Sequence, residues 1–206
     1  MQNRSNYPTF QRDHLADIEK YASDVLSGKR PSNKYEMAAV ERESHDLVRA
    51  GSKDFPYYFD PEAALKVIWF LETFSHVKGK WARAKGHEGL LNLSGWQKWI
   101  TAQVYGWKHI ETHRRRFRTA FTLVPRKNGK STWVAPIGLY MLANDDEPGA
   151  EVYCGATTQK QANEVFNPAK KMALKQPIFR RRFNIELFAQ QIEKTTDGGK
   201  FERLIG

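Results

Sequence analysis

Residues 126–132 read Arg-Lys-Asn-Gly-Lys-Ser-Thr, and each type has a use against a chain of phosphates. A glycine lets backbone N–H groups approach anionic oxygens. A lysine behind it delivers a point charge. A hydroxyl after that is a hard ligand for Mg²⁺. The phosphate loop G-x-x-x-x-G-K-[ST] combines these groups between a strand and a helix whose N-terminus also faces the anion. Gly129, Lys130 and Ser131 fill its last three positions, and Val124 stands where its first glycine would be. On this reading Arg126, Lys127, Asn128, Gly129, Lys130, Ser131 and Thr132 hold a nucleotide's phosphates. Ser131 ligates Mg²⁺, and Arg126 grips the terminal phosphate or responds to its loss. The alternative is a basic strand-to-helix loop on a basic protein.

Such a loop needs elements to hold it. "FRTAFTLVP" (117–125) predicts a buried strand, and Gly129 to about Leu142 predicts the helix after it, with Pro136 inside. "AEVYCGA" (150–156) predicts a second buried strand. Residues 157–176 predict a helix kinked at Pro168. Short strands follow at 183–188, 191–196 and 201–206, with "DGG" (197–199) as a hairpin turn. Alternating strands and helices argue for a parallel sheet covered by helices.

The first half differs. Residues 11–50 predict two polar helices, the first burying Leu15, Ile18, Ala22, Val25 and Leu26. Ser32 or Asn33 caps the second, and Gly51 ends it. Residues 60–77 predict a helix capped by Asp60 with Pro61 at its first position, and Ser94 opens another over 93–107. The expected organisation is a helical region, 1–92, before a nucleotide-binding region, 93–206.

Composition narrows the partners. Lys plus Arg is 33 against 23 Asp plus Glu, a net charge of +10, which favours a polyanion. The charge clusters at 113–118 and at Arg180, Arg181 and Arg182. Each cluster is a nucleic-acid contact or a solvated face. No apolar stretch is long enough to span a membrane, and the N-terminus has no apolar signal core. The one cysteine, Cys154, excludes an internal disulfide and fits a reducing compartment. "HIETH" (109–113) lacks the glutamate placement of a zinc-protease motif.

"VPRKNGKST" after a strand resembles the variant Walker A motif of tailed-bacteriophage terminase large subunits. "LSGWQKWI" (93–100) is similar to that family's adenine-binding Trp-Gln element. "GAEVYCGATTQKQANEVF" (149–166) is similar to its second strand and following helix. The three stretches stand in the family's order. The resemblance implies a P-loop NTPase core of the RecA/ASCE type and an ATP-driven DNA-packaging motor with ATP and Mg²⁺ as cofactors. It implies double-stranded viral DNA, a small terminase subunit and a portal as partners, a homo-oligomeric ring and the cytoplasm of a bacterial host.

Under that resemblance Trp96 and Gln97 bind adenine, since a Gln amide offers one donor and one acceptor to the N6/N7 edge. On residue type alone Gln97 is an exposed helix residue and Trp96 and Trp99 are core. Thr157 and Gln161, beyond the second strand, contact a DNA backbone; the alternative is a helix N-cap at Thr157 or Thr158. The family's second acidic motif, an apolar strand ending in Asp-Glu, is not found. "NDDEPG" (144–149) predicts a loop. The chain therefore resembles the N-terminal part of a terminase ATPase, expected to bind ATP and turn it over poorly. A small-molecule kinase and a non-hydrolysing DNA-binding module are the alternatives.

Overall fold

The computed structural model describes residues 13–84 and 89–205. Residues 11–12 of the expected first helix and Gly206 of the expected last strand lie outside them.

Helix α1, His14–Leu26, starts where Asp13 accepts a hydrogen bond from the Ala16 N–H. Its buried residues are His14, Ile18, Tyr21 and Val25, spaced i, i+4, i+7, i+11. Leu26 is 43% exposed, contrary to the expected face, because that stripe rotates it outward. Asn33 caps α2, Lys34–Val48, by accepting from the N–H groups of Tyr35 and Glu36. Asp60 caps α3, Pro61–Glu72, with Pro61 at its first position. Ser94 caps α4, Gly95–Gly106, in a capping box with Gln97. Strands β1, Tyr57–Phe59, and β2, Trp107–His109, pair antiparallel across α3 and α4. At three residues each they leave no periodic signal in the sequence. Gly106 lets this strand pair close, since a Cβ there would lie 2.4 Å from the Phe59 ring.

The second half comprises α5, Lys130–Ala143; β3, Glu151–Ala156; α6, Gln159–Lys175; α7, Pro177–Phe183; β4, Ile185–Leu187; β5, Gln191–Lys194; and β6, Gly199–Ile205. The chain is α/β as expected, but the sheet is mixed. Its order is β3-β6-β5-β4. Only β3 and β6 run parallel, and β6, β5 and β4 form an antiparallel meander. The hairpin turn, which spans 195–198, explains this, because a turn that short can join only antiparallel strands. Helices α5 and α6 each continue through their internal proline.

Two strand expectations need correction. Residues 117–125 form no strand, and Phe121 and Leu123 are 89% and 86% exposed. An apolar β-former run becomes a strand only when neighbours take its hydrogen bonds, and among the described residues none flanks this segment. Strand β3 is half-buried in alternation. Val152 and Cys154 pack against the core, while Tyr153 faces outward.

One hydrophobic cluster links the two halves, from Ile18 and Val25 through Phe70, Phe74 and Trp99 to Leu139, Phe166 and Phe201. Gly138 brings α5 against the sheet, where a Cβ would meet the Phe201 ring at 2.5 Å.

Candidate nucleotide-binding site

The turn before α5 is built for close approach by an anion. Lys127 has φ 70° and Gly129 φ 75°, both left-handed. Left-handed residues of this kind are the ones from which anion-binding backbone nests are built. No side chain caps α5, so the cap leaves the first-turn N–H groups for another acceptor. Asn128 braces the turn, donating to the carbonyls of Pro125 at 3.2 Å and Arg126 at 3.3 Å. The Lys130 ammonium lies inside it, donating to the carbonyls of Val124 and Pro125, the latter at 2.9 Å. Two carbonyls leave one ammonium proton for a further acceptor. Arg126 and Lys127 are exposed, and Ser131 and Thr132 are half-buried.

Helix α4 stands across from this turn. A cleft of about 310 Å³ between them is lined by Trp96, Gln97, Asn128, Gly129 and Thr132, among others. The structure thus brings together the Trp-Gln pair and part of the loop, segments some thirty residues apart in sequence. Lys130, Ser131, Arg126 and Lys127 do not line the cleft. Trp133 does, with His76 and Asn92, which sequence reasoning missed. His76 lies just past α3, and nothing in its neighbours' types marks it. Burial lowers its pKa, which disfavours the charged imidazolium.

The two walls are tied. Trp133 Nε1 donates to Thr101 Oγ1 at 3.1 Å, and Thr101 Oγ1 donates to the Gln97 carbonyl at 2.7 Å. The rings of Trp96 and Trp133 meet edge to face at 5.2 Å. Trp99 is core, donating to the buried Glu43, whose carboxyl burial holds above the ordinary range.

Gln97 is buried and half committed. Its Oε1 accepts from the Ser94 N–H at 2.9 Å and the Ser94 hydroxyl at 3.1 Å. Its Nε2 lies 3.5 Å from where a Gly129 Cβ would sit. The cap thus occupies the acceptor needed for a two-point match to adenine, and the amide donor remains toward the turn.

The other candidates lie elsewhere. Thr157 donates to Gln161 Oε1 at 3.0 Å, and Thr158 rather than Thr157 caps α6. Arg180 bonds the Ile185 carbonyl at 3.4 Å, while Arg181 and Arg182 are exposed in the last turn of α7. The cluster at 113–118 is partly structural. Arg115 holds both oxygens of Asp145 at 2.7 Å, and Arg116 holds the buried Asp46 at 2.6 Å beneath Phe55 and Trp107. Residues 144–149 form a loop, with Asp146 beside Lys66 at 3.2 Å. The Cys154 thiol, raised by burial, contacts the carbonyls of Ala162 and Glu202.

The phosphate groups of a nucleotide fit the donors of this turn: the left-handed pair, the uncapped helix and Lys130. For Mg²⁺ the turn offers the Ser131 hydroxyl, with phosphates and water as the remaining oxygens.

Comparison with known proteins bears on the fold and the family. The crystal structure of the HK97 bacteriophage large terminase shares the fold, with a TM-score of 0.54 and 23% identity. The match covers 69% of this chain and 27% of that one, so the chain spans about a quarter of its length. No curated protein matched. The family model of the terminase large subunit ATPase domain matches residues 95–199, from the start of α4 to the start of β6. With just over half of its residues in that match, the chain belongs to the terminase large subunit ATPase-domain family.

Proposed function

We propose that this chain binds Mg·ATP between α4 and the 125–132 turn, as part of the motor that drives viral DNA into a procapsid. The observation that supports the reading most is the shared cleft, in which Trp96 and Gln97 face Asn128, Gly129 and Thr132. A small-molecule kinase gives no reason for a Trp-Gln helix opposite the turn.

On this reading Lys130 and the first-turn N–H groups of α5 hold the phosphates, and Ser131 ligates the metal. Trp96 and Trp133 form one wall against the base, and Gln97 donates one hydrogen bond from its amide. ATP, when bound, supplies the phosphoryl group whose hydrolysis powers movement, with Mg²⁺ balancing its charge. Arg181 and Arg182, with Thr157 and Gln161, meet DNA through its backbone, since a packaging motor must tolerate every sequence. The setting is the host bacterial cytoplasm, with a ring of copies, a small subunit and a portal as partners.

Two tryptophans in the cleft give a direct test. Adding Mg·ATP should change tryptophan emission saturably, and inorganic triphosphate should compete. A flat titration at millimolar nucleotide would refute the reading.

A further inference from the structure

A second groove lies away from the nucleotide cleft. It has a volume of about 400 Å³ and is lined by Lys78, Lys160, Asn163, Glu164, Asn167 and Lys171, with Gln159 at one end. Residues 160, 163, 164, 167 and 171 recur at helical spacing, so they form one stripe along α6. The opposite stripe, Ala162, Phe166, Ala169 and Met172, is buried. Lys160 and Lys171 stand about 16 Å apart along the axis at about 1.5 Å per residue. Neither has an ion pair among the described residues.

The facing wall is the segment 76–83, and it is fixed. Lys175 Nζ donates to the carbonyls of His76 at 3.1 Å and Ala82 at 3.0 Å. Gln176 donates to the Thr73 carbonyl at 2.8 Å. Lys78 meets Glu164 at 3.3 Å, but both side chains are more than half exposed, so the pair is weak and exchangeable. Just beyond, the 3₁₀ turn Lys80–Arg83 presents two more cations and Trp81, which is 49% exposed.

We infer that this groove, between α6 and the Lys78–Arg83 segment, seats the sugar–phosphate backbone of a nucleic acid. Three lysines against one carboxylate supply the charge. The amides of Gln159, Asn163 and Asn167 donate to phosphate oxygens and carry no sequence information. A braced wall keeps the cations in place, which a merely solvated helix face does not require. The segment also contributes His76 to the nucleotide cleft, so one short stretch of chain borders both sites. The inference adds a DNA-binding face to the packaging-motor reading, yet it stands or falls on its own residues.

The experiment is the salt dependence of binding to a labelled duplex DNA, followed by fluorescence anisotropy. Each phosphate contact contributes about 0.9 to the slope of log affinity against log salt. The double variant Lys160→Gln/Lys171→Gln should lower the slope by about 1.8 and leave Mg·ATP affinity unchanged. Glu164→Gln should tighten DNA binding, a gain that a misfolded chain cannot show. Lys130→Ala should leave the slope alone, which separates this inference from the nucleotide reading. An unchanged slope in the lysine double variant, or no tightening in Glu164→Gln, would overturn the inference.

Discussion

The Trp133 indole N–H, one turn into α5, bonds the Thr101 hydroxyl of α4 at 3.1 Å, and both groups are buried. That bond fixes the distance between the helix that follows the basic turn and the helix that carries Trp96 and Gln97. Trp133→Phe keeps most of the ring and removes the donor. It should cost about 1 kcal/mol in urea unfolding, the usual worth of one buried hydrogen bond. It should also weaken ATP binding, because the cleft's two walls lose their tie. Full affinity alongside lowered stability would show that the tie serves folding alone.

Gln97 should have two separable roles. Gln97→Ala removes the acceptor for Ser94 and should destabilise α4 by about 1 kcal/mol. Gln97→Glu keeps that acceptor and loses the amide donor. It should melt like the wild type and bind ATP more weakly. A lower melting temperature for Gln97→Glu than for Gln97→Ala would contradict the cap.

Asp46 makes the first half sensitive to acid. Burial alone would raise its pKa, but hydrogen bonds from Arg116 and Arg49, with Arg42 nearby, hold it below the ordinary 3.8. An acid with a depressed folded pKa stabilises the fold above its unfolded pKa and loses that contribution as pH falls through the folded value. Asp46→Asn should therefore cost about 3 kcal/mol at pH 7, where three guanidinium groups lose their carboxylate. The gap to wild type should close below about pH 3.8. A gap independent of pH in denaturant titrations would mean that packing, not charge, holds this cluster.

Much of this was legible in the sequence, and the failures have physical causes. Asp60, Asn33 and Ser94 declared three helix starts, because a cap is a local bargain between one side chain and nearby N–H groups. The hairpin turn was equally local. Strand 117–125 failed because its pattern states only a preference, and a strand exists through its neighbours. Gln97 differs from its residue type for a related reason. A glutamine on a helix reads as exposed, but the structure buries it and gives its carbonyl to Ser94, three residues earlier. His76 and the meeting of Lys78 with the α6 stripe depend on tertiary placement, and spacing along the chain gives no hint of either.

Three acids of the 144–151 region pair with residues outside the basic turn. Asp145 is held by Arg115, Asp146 stands beside Lys66, and Glu151 lies between Tyr153 and Lys200. Burial keeps the Asp145 carboxyl above the ordinary range despite its arginine. None of these three pairs with a residue of the 125–132 turn, and positioning supplies most of phosphoryl-transfer catalysis. The 206-residue chain should release phosphate no faster than its Lys130→Ala variant, with or without DNA. Brisk DNA-stimulated release would assign one of these acids a catalytic part.

The central claim is that the turn around Lys130 holds a nucleotide's phosphates. Its most direct test is isothermal calorimetry of Mg·ATP against the wild type and Lys130→Ala, with circular dichroism as the check on folding. Lys130 donates only to the carbonyls of Val124 and Pro125 among the described residues, so the variant should keep its fold. The account predicts saturable heat in the wild type and none in the variant. Equal affinity in two folded proteins would contradict it.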